Sequence, residues 1–399
     1  MNTTTLENLT LQDITNFRLF ATFCVAAAVS YFAYPKILTI SKAKRLMQKP
    51  GDRSSHTVDT PNLGGIGIFL GITVACTLIG STLGLTNLLC LIGAVVVLFF
   101  TGLSDDILEL SPAKKLLGQL FAALFVIIVT DTRITSFFGL FGIHTIPYIT
   151  SVAFTLFAFI VLINAFNLID GIDGLASCVG ILSSLLFSIY AYAINDIMLL
   201  LVSFSMIGAL STFLIFNFST SRKMFMGDTG SMIIGFLLAY QAINFLGYYN
   251  QPNNIVFHVN PLIITIAIFS YPLTDTLRVF IIRILTGKSP FTADKNHIHH
   301  NLVALGFKHW EVAIIASFYI LIVFGLTFFL KSLNIHVSLL ILVLLSTVAS
   351  TVPSMVFRVA SYLDTTKTNI IKKRALESEN SRYERFLKAT ISQVLNIFL

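Results

Sequence analysis

The sequence predicts an all-α polytopic membrane protein with about eleven transmembrane helices. Of its 399 residues, 55% are hydrophobic and only 11% are charged, whereas a soluble domain carries about 25% charged residues. The apolar residues are also gathered in long runs. Together these observations exclude a soluble enzyme. The net charge of +7 fits loops beside anionic lipid headgroups better than a nucleic-acid partner.

Eleven apolar segments are long enough to cross a bilayer, since a spanning helix needs about 20 mostly apolar residues. The first is too long for the core of a signal peptide, and its basic residues follow it, so we expect it to be retained as a helix. The four cysteines fall in or beside these segments without a metal or pairing pattern, as small apolar residues do. The predicted spans are 17–40, 62–84, 86–103, 115–131, 147–166, 175–194, 197–216, 230–247, 260–282, 310–330 and 335–357.

Lysine and arginine set the predicted orientation. Nearly all of them fall on one side of the membrane, and the other side keeps only Arg18, Arg133 and Lys331. Because basic residues collect on the cytoplasmic side, the N-terminus is predicted outside and the C-terminus in the cytoplasm. The clustered aspartates then lie at the cytoplasmic ends of spans. A carboxylate is costly near the bilayer, so such clusters indicate a function.

Two regions are expected along the chain. Residues 1–357 form a transmembrane domain whose active site must be built from helix ends and cytoplasmic loops. Residues 358–399 form a polar, basic tail with apolar residues at near-helical spacing. This spacing favours an amphipathic helix on the membrane surface or against a partner subunit, and a solvated tail fits about as well.

Asp105 and Asp106 lie where the third span reaches the cytoplasm. Adjacent helical residues diverge by about 100°, so both can face one ligand only at a frayed end or a turn. Two carboxylates at one site repel each other unless a cation lies between them. The pair therefore predicts a divalent metal or a shared proton, and the plain alternative is two helix-end charges facing water.

Polar residues recur every third position in the block 164–174, at Asn164, Asn167, Asp170 and Asp173. Such a series stays near one helix face, and the two glycines of the block let the backbone approach a ligand closely. Asp and Asn supply the oxygen ligands that Mg²⁺ prefers. The block is hard to explain by packing alone and predicts a magnesium site.

The block Phe225-Met-Gly-Asp228-Thr-Gly-Ser231 precedes the eighth span. Asp, Thr and Ser favour helix N-caps, and a helix N-terminus offers free N–H groups to anions. We interpret Asp228 as a metal ligand beside a phosphate pocket, with Phe225 available to stack on a base. An ordinary helix cap is the alternative.

Two cytoplasmic loops supply basic candidates. The sequence His297-Ile-His299-His300 lies among lysines and arginines, and with no cysteine or second cluster at ligand spacing an anion site is favoured over zinc. A surface loop with coincidental histidines is the alternative. The loop that contains Lys49 and His56 is weaker, because basic loops beside membranes are common.

Taken in order, these motifs resemble those of the polyprenyl-phosphate N-acetylhexosamine-1-phosphate transferase superfamily, glycosyltransferase family 4. The resemblance runs from about residue 49 to 307 and is carried most strongly by the blocks 164–174 and 225–231. The eleven spans and the His-Ile-His-His sequence are similar to the bacterial branch that acts on UDP-GlcNAc. The peptidoglycan branch usually has three consecutive histidines, which Ile298 interrupts here, and the dolichol-linked branch lacks the two aspartates of the block 164–174.

The resemblance implies a Mg²⁺-dependent enzyme, with Mn²⁺ as a substitute, in the bacterial inner membrane. Its N-terminus would be periplasmic and its active site cytoplasmic. It would transfer a sugar 1-phosphate, most readily GlcNAc-1-phosphate, from a UDP-sugar to undecaprenyl phosphate, giving undecaprenyl-diphosphate-sugar and UMP. This is the first membrane step of O-antigen, common-antigen or wall teichoic acid synthesis. UDP-MurNAc-pentapeptide or another UDP-HexNAc are alternative donors, and a homodimer is an open alternative to a monomer.

The resemblance also implies a role for each candidate residue. The metal ligands would be Asp228, Asn167 and Asp106. The catalytic carboxylates, which orient the acceptor phosphate or act as base or nucleophile, would be Asp105, Asp106, Asp170 and Asp173. The nucleotide would contact Asp173, Phe225 and Asn164, and the phosphates or sugar would contact Lys49, His56, His297, His299 and His300.

A secondary transporter with a carboxylate proton relay is the rival class, because it also combines many spans with aspartates. A relay should place its acids deep in the spans or on both sides of the membrane. Here the clustered acids lie on one side only, which favours the transferase.

Overall fold

The computed structural model describes residues 3–47, 59–249, 259–287 and 297–371, and the regular elements in these ranges are helical. The α-helices are α1 (Thr3–Lys44), α2 (Gly64–Gly80), α3 (Thr86–Leu108), α4 (Pro112–Thr130), α5 (Tyr148–Ile169), α6 (Leu175–Ala193), α7 (Ile197–Asn217), α8 (Gly227–Tyr249), α9 (Pro261–Ile268), α10 (Ser270–Leu285), α11 (Ile298–Ala304), α12 (His309–Phe329) and α13 (Ile335–Ile371).

The helical content confirms the all-α membrane fold. In the described ranges, 10 helices are long and apolar enough to cross a membrane, or 11 if the bent pair α9 and α10 is one span. That pair corresponds to the predicted span 260–282, and its two helices meet at 71°. Pro272 in the first turn of α10 explains the bend, since proline has no N–H to continue the hydrogen bonding of α9.

Helix α8 lies at the centre of the bundle. Its apolar window is 89% buried, compared with 28% for α4 and 22% for α13, which therefore lie on the outside. Helix α8 packs against α3 and α5, and a glycine allows the close approach to α3. A Cβ atom at Gly102 would lie only 2.5 Å from Thr229 Cα.

Two helix ends differ from the predicted spans and matter for the site. Helix α3 continues past residue 103 to Leu108, so Asp105 and Asp106 lie in its last turns. Helix α8 begins at Gly227 rather than 230, which places Asp228 in its first turn. Polar residues at helix ends remain helical because they can satisfy the terminal backbone groups.

The last helix crosses the predicted boundary at residue 357. Helix α13 runs through Ile371, so the start of the tail continues the final span. Residues 372–399 lie outside the described residues, and the amphipathic helix expected there stays a prediction. The orientation of the two termini likewise stays a prediction from the basic residues.

Candidate active site

One cavity of about 840 Å³ gathers most of the predicted site residues at one end of the bundle. We call it the acidic pocket. Its lining combines carboxylates with a few apolar and basic side chains: Arg45, Leu46, Met47, Asn62, Asp105, Asp106, Ile107, Glu109, Leu110, Asn167, Asp170, Gly171, Ile172, Asp173, Asn217, Phe225, Met226, Gly227, Asp228 and His300. The carboxylates come from α3, α8 and the turn after α5, so residues far apart in the chain meet here.

Asp106 caps the central helix. Its Oδ1 accepts a hydrogen bond from the Asp228 N–H at 2.7 Å, and its Oδ2 accepts from the Thr229 N–H at 3.0 Å and the Thr229 hydroxyl at 2.6 Å. A carboxylate is favourable there because the first N–H groups of a helix lack partners within it. Both oxygens of Asp106 are therefore committed to joining α3 to α8.

The approach of these two segments requires a glycine. Gly227 has a φ of +72°, and a Cβ atom there would lie 2.2 Å from Asn62 O and 2.7 Å from both carboxylate oxygens of Asp106. Any larger residue would combine an unfavourable backbone conformation with a direct clash.

Lys115 joins two further carboxylates of the pocket, those of Asp105 and Asp228. Its Nζ lies 3.0 Å from Asp105 Oδ2 and 2.6 Å from Asp228 Oδ2. Asp105 Oδ1 also accepts a hydrogen bond from the Leu110 N–H at 2.7 Å. The ammonium group thus lies between Asp105 and Asp228, whereas the sequence predicts a metal or a shared proton at the pair Asp105 and Asp106. Sequence reasoning treated Lys115 only as a topology signal and missed this contact.

The two asparagines of the block 164–174 occupy different places. Asn167 lines the acidic pocket and donates its amide hydrogens to Asp228 Oδ1 and to Ser231 Oγ, the latter at 2.9 Å. Asn164 lies one turn deeper in α5 and donates to Gln119 Oε1 at 3.0 Å and to Ile160 O at 2.8 Å. Asn164 is not among the residues that line the pocket, so its predicted contact with the nucleotide gains no support from this arrangement.

Asp170 lines the pocket close to other negative charges. Burial raises the pKa of its carboxyl well above the ordinary value, and the charges of Asp228, Asp106 and Asp173 raise it further. Within the part of the chain that the structure describes, Asp170 has no hydrogen-bond partner. Its carboxyl is therefore open to a bound substrate.

Asp173 has the opposite electrostatic environment. Its Oδ2 lies 2.7 Å from His309 Nδ1 and 2.7 Å from Lys223 Nζ. Burial alone would raise the pKa of Asp173, but the hydrogen bonds from His309 and Lys223 outweigh burial and hold the pKa below its ordinary value. Asp173 is therefore a fixed anion at the pocket wall, held by two basic residues that sequence reasoning missed.

Backbone hydrogen bonds hold Phe225 at the pocket. The Phe225 N–H donates to Pro61 O at 2.8 Å, and the Gly64 N–H donates to Phe225 O at 2.9 Å. The Lys223 ammonium lies 5.4 Å from the centroid of the Phe225 ring, within the range of a cation–π contact. The aromatic ring and the anion of Asp173 thus share Lys223 as a neighbour.

The three histidines separate into one pocket residue and two buried residues. His300 lines the acidic pocket. His297 and His299 are 4% and 0% exposed and face Asp275 of α10. The predicted contact with phosphate or sugar is thus open to His300, while His297 and His299 have an interior position that sequence reasoning did not expect.

Comparison with known proteins shows which proteins the chain resembles. The model of the family described as "Glycosyl transferase family 4" matches residues 88–246. Over these residues the chain is similar to members of this family. The matched segment carries every pocket aspartate, from Asp105 to Asp228, and ends before the histidines.

Three relatives illustrate which known proteins the chain resembles. It is 28% identical over 322 residues to the decaprenyl-phosphate N-acetylglucosaminephosphotransferase of Mycobacterium tuberculosis (strain ATCC 25618 / H37Rv), covering 75% of this chain and 80% of the relative. It is 29% identical over 332 residues to the probable undecaprenyl-phosphate N-acetylglucosaminyl 1-phosphate transferase of Bacillus subtilis (strain 168), covering 82% and 89%. It is 29% identical over 281 residues to the undecaprenyl-phosphate alpha-N-acetylglucosaminyl 1-phosphate transferase of Yersinia pestis, covering 68% and 73%.

The acidic pocket suits a hard divalent cation. Its donor atoms are carboxylate oxygens, which Mg²⁺ prefers, and Asp105 and Asp228 already share one positive charge on Lys115. The charges of Asp228, Asp106 and Asp173 add to the effect of burial on the pKa of Asp170, and a bound cation would offset these charges. The residues present therefore fit Mg²⁺, with Asp228 and Asp105 as the best-placed ligands.

Two predicted residues lie outside the described part of the chain. Lys49 and His56 belong to the range 48–58, and their contact with phosphate or sugar stays a prediction. The described segment that precedes this range supplies Arg45, Leu46 and Met47 to the pocket lining.

Proposed function

We propose that this protein transfers GlcNAc-1-phosphate from UDP-GlcNAc to undecaprenyl phosphate, giving undecaprenyl-diphosphate-GlcNAc and UMP, with Mg²⁺ as cofactor. The observation that carries the proposal is the acidic pocket, in which five aspartates face one cavity of a multi-pass membrane protein. The relatives, whose names give polyprenyl-phosphate acceptors and N-acetylglucosaminyl phosphate transfer, support the choice of substrates.

The proposed reaction is a substitution at phosphorus. An oxygen of the lipid phosphate forms a bond to the donor phosphorus that bears the sugar, and the bond from that phosphorus to the oxygen bridging to UMP breaks. UMP leaves with the electron pair. A phosphate monoester has its second pKa near 6, so the acceptor is largely dianionic at neutral pH. Activation by a base therefore matters less than charge neutralisation and alignment.

The proposed roles of the pocket residues follow from their positions. When bound, Mg²⁺ neutralises charge on the donor diphosphate and the leaving UMP. Asp228 and Asp105 would hold it, with Asn167 beside them. Asp106 keeps the first turn of α8 in place through its three hydrogen bonds. Lys115 contacts Asp228 and Asp105. When its ammonium leaves these two carboxylates, it is close enough to donate a hydrogen bond to a phosphate oxygen.

The nucleotide is assigned to the wall formed by Phe225 and Asp173. The ring of Phe225 can stack on uracil, and the fixed anion of Asp173 can accept a hydrogen bond from a base N–H or a ribose hydroxyl. His300 faces the same cavity and is assigned to the phosphate or sugar. With the nucleotide and the sugar assigned in this way, we assign Asp170 to the reacting phosphates.

Direct attack by the lipid phosphate is favoured over a covalent phospho-aspartate on Asp170. A carboxyl nucleophile must be ionised, and burial together with three neighbouring carboxylates raises the pKa of Asp170. If the direct route holds, Asp170→Asn should reduce single-turnover formation of product without abolishing it. Trapping of a phosphorylated Asp170 with labelled donor would instead establish the covalent route.

The location of the reaction follows from its substrates. The acceptor lies in the bilayer and the donor in the cytosol, so we place the pocket at the cytoplasmic face of the bacterial inner membrane. There the reaction would begin the synthesis of a cell-envelope polysaccharide. The homodimer stays a prediction.

The deciding experiment measures UMP release by the purified full-length protein in detergent, with undecaprenyl phosphate, Mg²⁺ and a panel of UDP-sugars. UDP-GlcNAc should be used, Mg²⁺ removal should stop turnover, and Asp228→Asn should lower it by more than tenfold. Asp131→Asn is the matched control, since Asp131 pairs with Arg133 and its side chain is 67% exposed.

Other outcomes would point elsewhere. Selective use of UDP-MurNAc-pentapeptide or another UDP-HexNAc would change the donor while keeping the reaction class. Proton-coupled uptake in proteoliposomes without UMP formation would replace the transferase by a transporter. Full activity without any divalent metal would remove Mg²⁺ from the proposal.

A further inference from the structure

Asp275 lies outside the acidic pocket, yet it organises one of its walls. It occupies α10, in the bent span, and is 0% exposed. An uncompensated carboxylate is very costly in an apolar interior. A buried acid at this position therefore calls for partners, and it finds them in the segment 297–299.

The two oxygens of Asp275 hold the start of α11. Oδ2 lies 2.9 Å from His297 Nδ1, and Oδ1 accepts a hydrogen bond from the Ile298 N–H at 2.8 Å. His297 is 4% exposed and immediately precedes the helix. The carboxylate thus fixes both a histidine ring and the first backbone N–H of the helix, as an N-cap side chain would.

The fixed segment lies directly against the turn that carries Asp170. A Cβ atom on Gly171 would lie 2.6 Å from His299 Nε2 and 3.4 Å from His300 Cε1. Neighbouring residues on a helix diverge by about 100°, which explains why His299 is buried while His300 lines the pocket. A displacement of α11 would therefore move His300 relative to Asp170.

We propose that Asp275 is a positioning residue, which anchors His297 and the N-terminus of α11 so that His300 faces the reacting phosphates. The proposal rests on the function proposed above. It links the bent span to the site through hydrogen bonds rather than through contact with substrate.

A transition-metal site is the rival interpretation, because Asp275, His297 and His299 offer ligand atoms within 4.8 Å of one another. The geometry favours the hydrogen-bonded anchor. The 2.9 Å separation is ordinary for a hydrogen bond, and both oxygens of Asp275 have donors without an ion.

A double-mutant cycle tests the anchor through His300. UMP release is measured for the full-length protein, for Asp275→Asn, for His300→Ala and for the double variant. Asp275→Asn should lower kcat/KM by roughly ten- to a hundredfold, as expected for loss of a charge-assisted hydrogen bond. The same substitution should have little further effect once His300 is alanine, because residues that act through one another are not additive. Equal losses in both backgrounds would overturn the proposal.

A pair of variants at His297 keeps the test decisive if Asp275→Asn fails to fold. His297→Asn places an amide N–H near the position of Nδ1 and should retain activity within about threefold, whereas His297→Ala should lose roughly tenfold or more. Equal activity of the two His297 variants would contradict the anchor.

Chemical labelling separates the anchor from the proposed function, since it needs no turnover. In the wild-type protein, diethyl pyrocarbonate should modify His300 and spare His297 and His299. In Asp275→Asn, labelling of His297 and His299 should rise several-fold while Asp131→Asn keeps the wild-type pattern. Unchanged labelling would refute the anchor even if UMP release is confirmed. A stoichiometric transition metal in the purified protein, lost in Asp275→Asn, would replace the anchor by a metal site.

Discussion

Replacing Asp106 by asparagine tests whether this residue holds the helices together or acts on the substrate. The carboxylate accepts three hydrogen bonds from the first turn of α8, at 2.7, 3.0 and 2.6 Å. Asparagine keeps one oxygen. Its best orientation preserves the two bonds from Thr229 and turns its NH₂ group towards the Asp228 N–H, so that bond is lost and two donors face each other.

The magnitude follows from these contacts. A hydrogen bond to a charged group is worth about 1.5–3 kcal/mol, and the charge at a helix N-terminus about 0.3–1 kcal/mol more. The free energy of unfolding should therefore fall by about 2–4 kcal/mol. At the lower end of the usual range, about 2 °C per kcal/mol, the Tm should fall by roughly 4–8 °C.

Thermal unfolding in detergent measures this change, followed by the fluorescence of the chain's only tryptophan, Trp310. Thr229→Val should lower the Tm by less, because it removes only the hydroxyl bond to Asp106. Asp131→Asn should leave the Tm within about 1 °C, as an exposed ion pair contributes little. If Asp106→Asn abolishes UMP release at an unchanged Tm, the residue acts on substrate or metal and the capping argument is wrong.

Three further predictions concern single positions. Lys115→Met should lower the Mg²⁺ concentration needed for half-maximal thermal stabilisation by roughly tenfold, since it removes a cation that competes for the same carboxylates. Gly102→Ala should cost about 1–3 kcal/mol by forcing α3 away from Thr229, whereas Gly93→Ala, where a Cβ would lie 3.5 Å from the nearest ring atom, should be neutral or stabilising. Burial lowers the pKa of His299 from 6.5 to about 3. As the pH falls, the unfolded protein therefore binds a proton at His299 before the folded protein does. The free energy of unfolding keeps its full value above pH 6.5 and should fall by about 2 kcal/mol by about pH 5.

Each of these has a direct check. An unchanged Mg²⁺ response in Lys115→Met would show that the metal does not share the carboxylates of the lysine. Equal Tm values for Gly102→Ala and Gly93→Ala would refute the close helix contact. For His299, the Tm difference between pH 7.5 and pH 5 should shrink in His299→Leu, and an identical difference in the variant would assign the acid sensitivity to another group.

Much of the fold was predictable because the bilayer leaves few choices. Apolar length alone identifies the spanning helices, and the 10 or 11 spans of the described residues match the prediction. The gathering of aspartates was predictable as well. A carboxylate is costly beside the bilayer, and one common site would explain why several span ends carry one.

The individual roles were harder to predict. In the pair Asp105 and Asp106, sequence cannot tell which carboxylate faces α8, since that depends on the rotation of α3. Lys115 was interpreted as a topology signal, because basic residues beside spans are common. Asp275 carried an overlooked signal: a single acid inside the apolar segment 260–282 requires a partner, and the histidines were candidates besides the nearer Arg278 and Arg283.

The lysine between Asp105 and Asp228 has a consequence for the enzyme between turnovers. Its ammonium is a counterion that belongs to the protein itself. The resting protein therefore does not depend on a dissociable ion to offset the repulsion between the carboxylates of Asp105 and Asp228. Chelation of the divalent metal should accordingly stop turnover of such an enzyme while leaving it folded. The empty and loaded forms would then differ by the swing of one flexible side chain rather than by a rearrangement of the bundle.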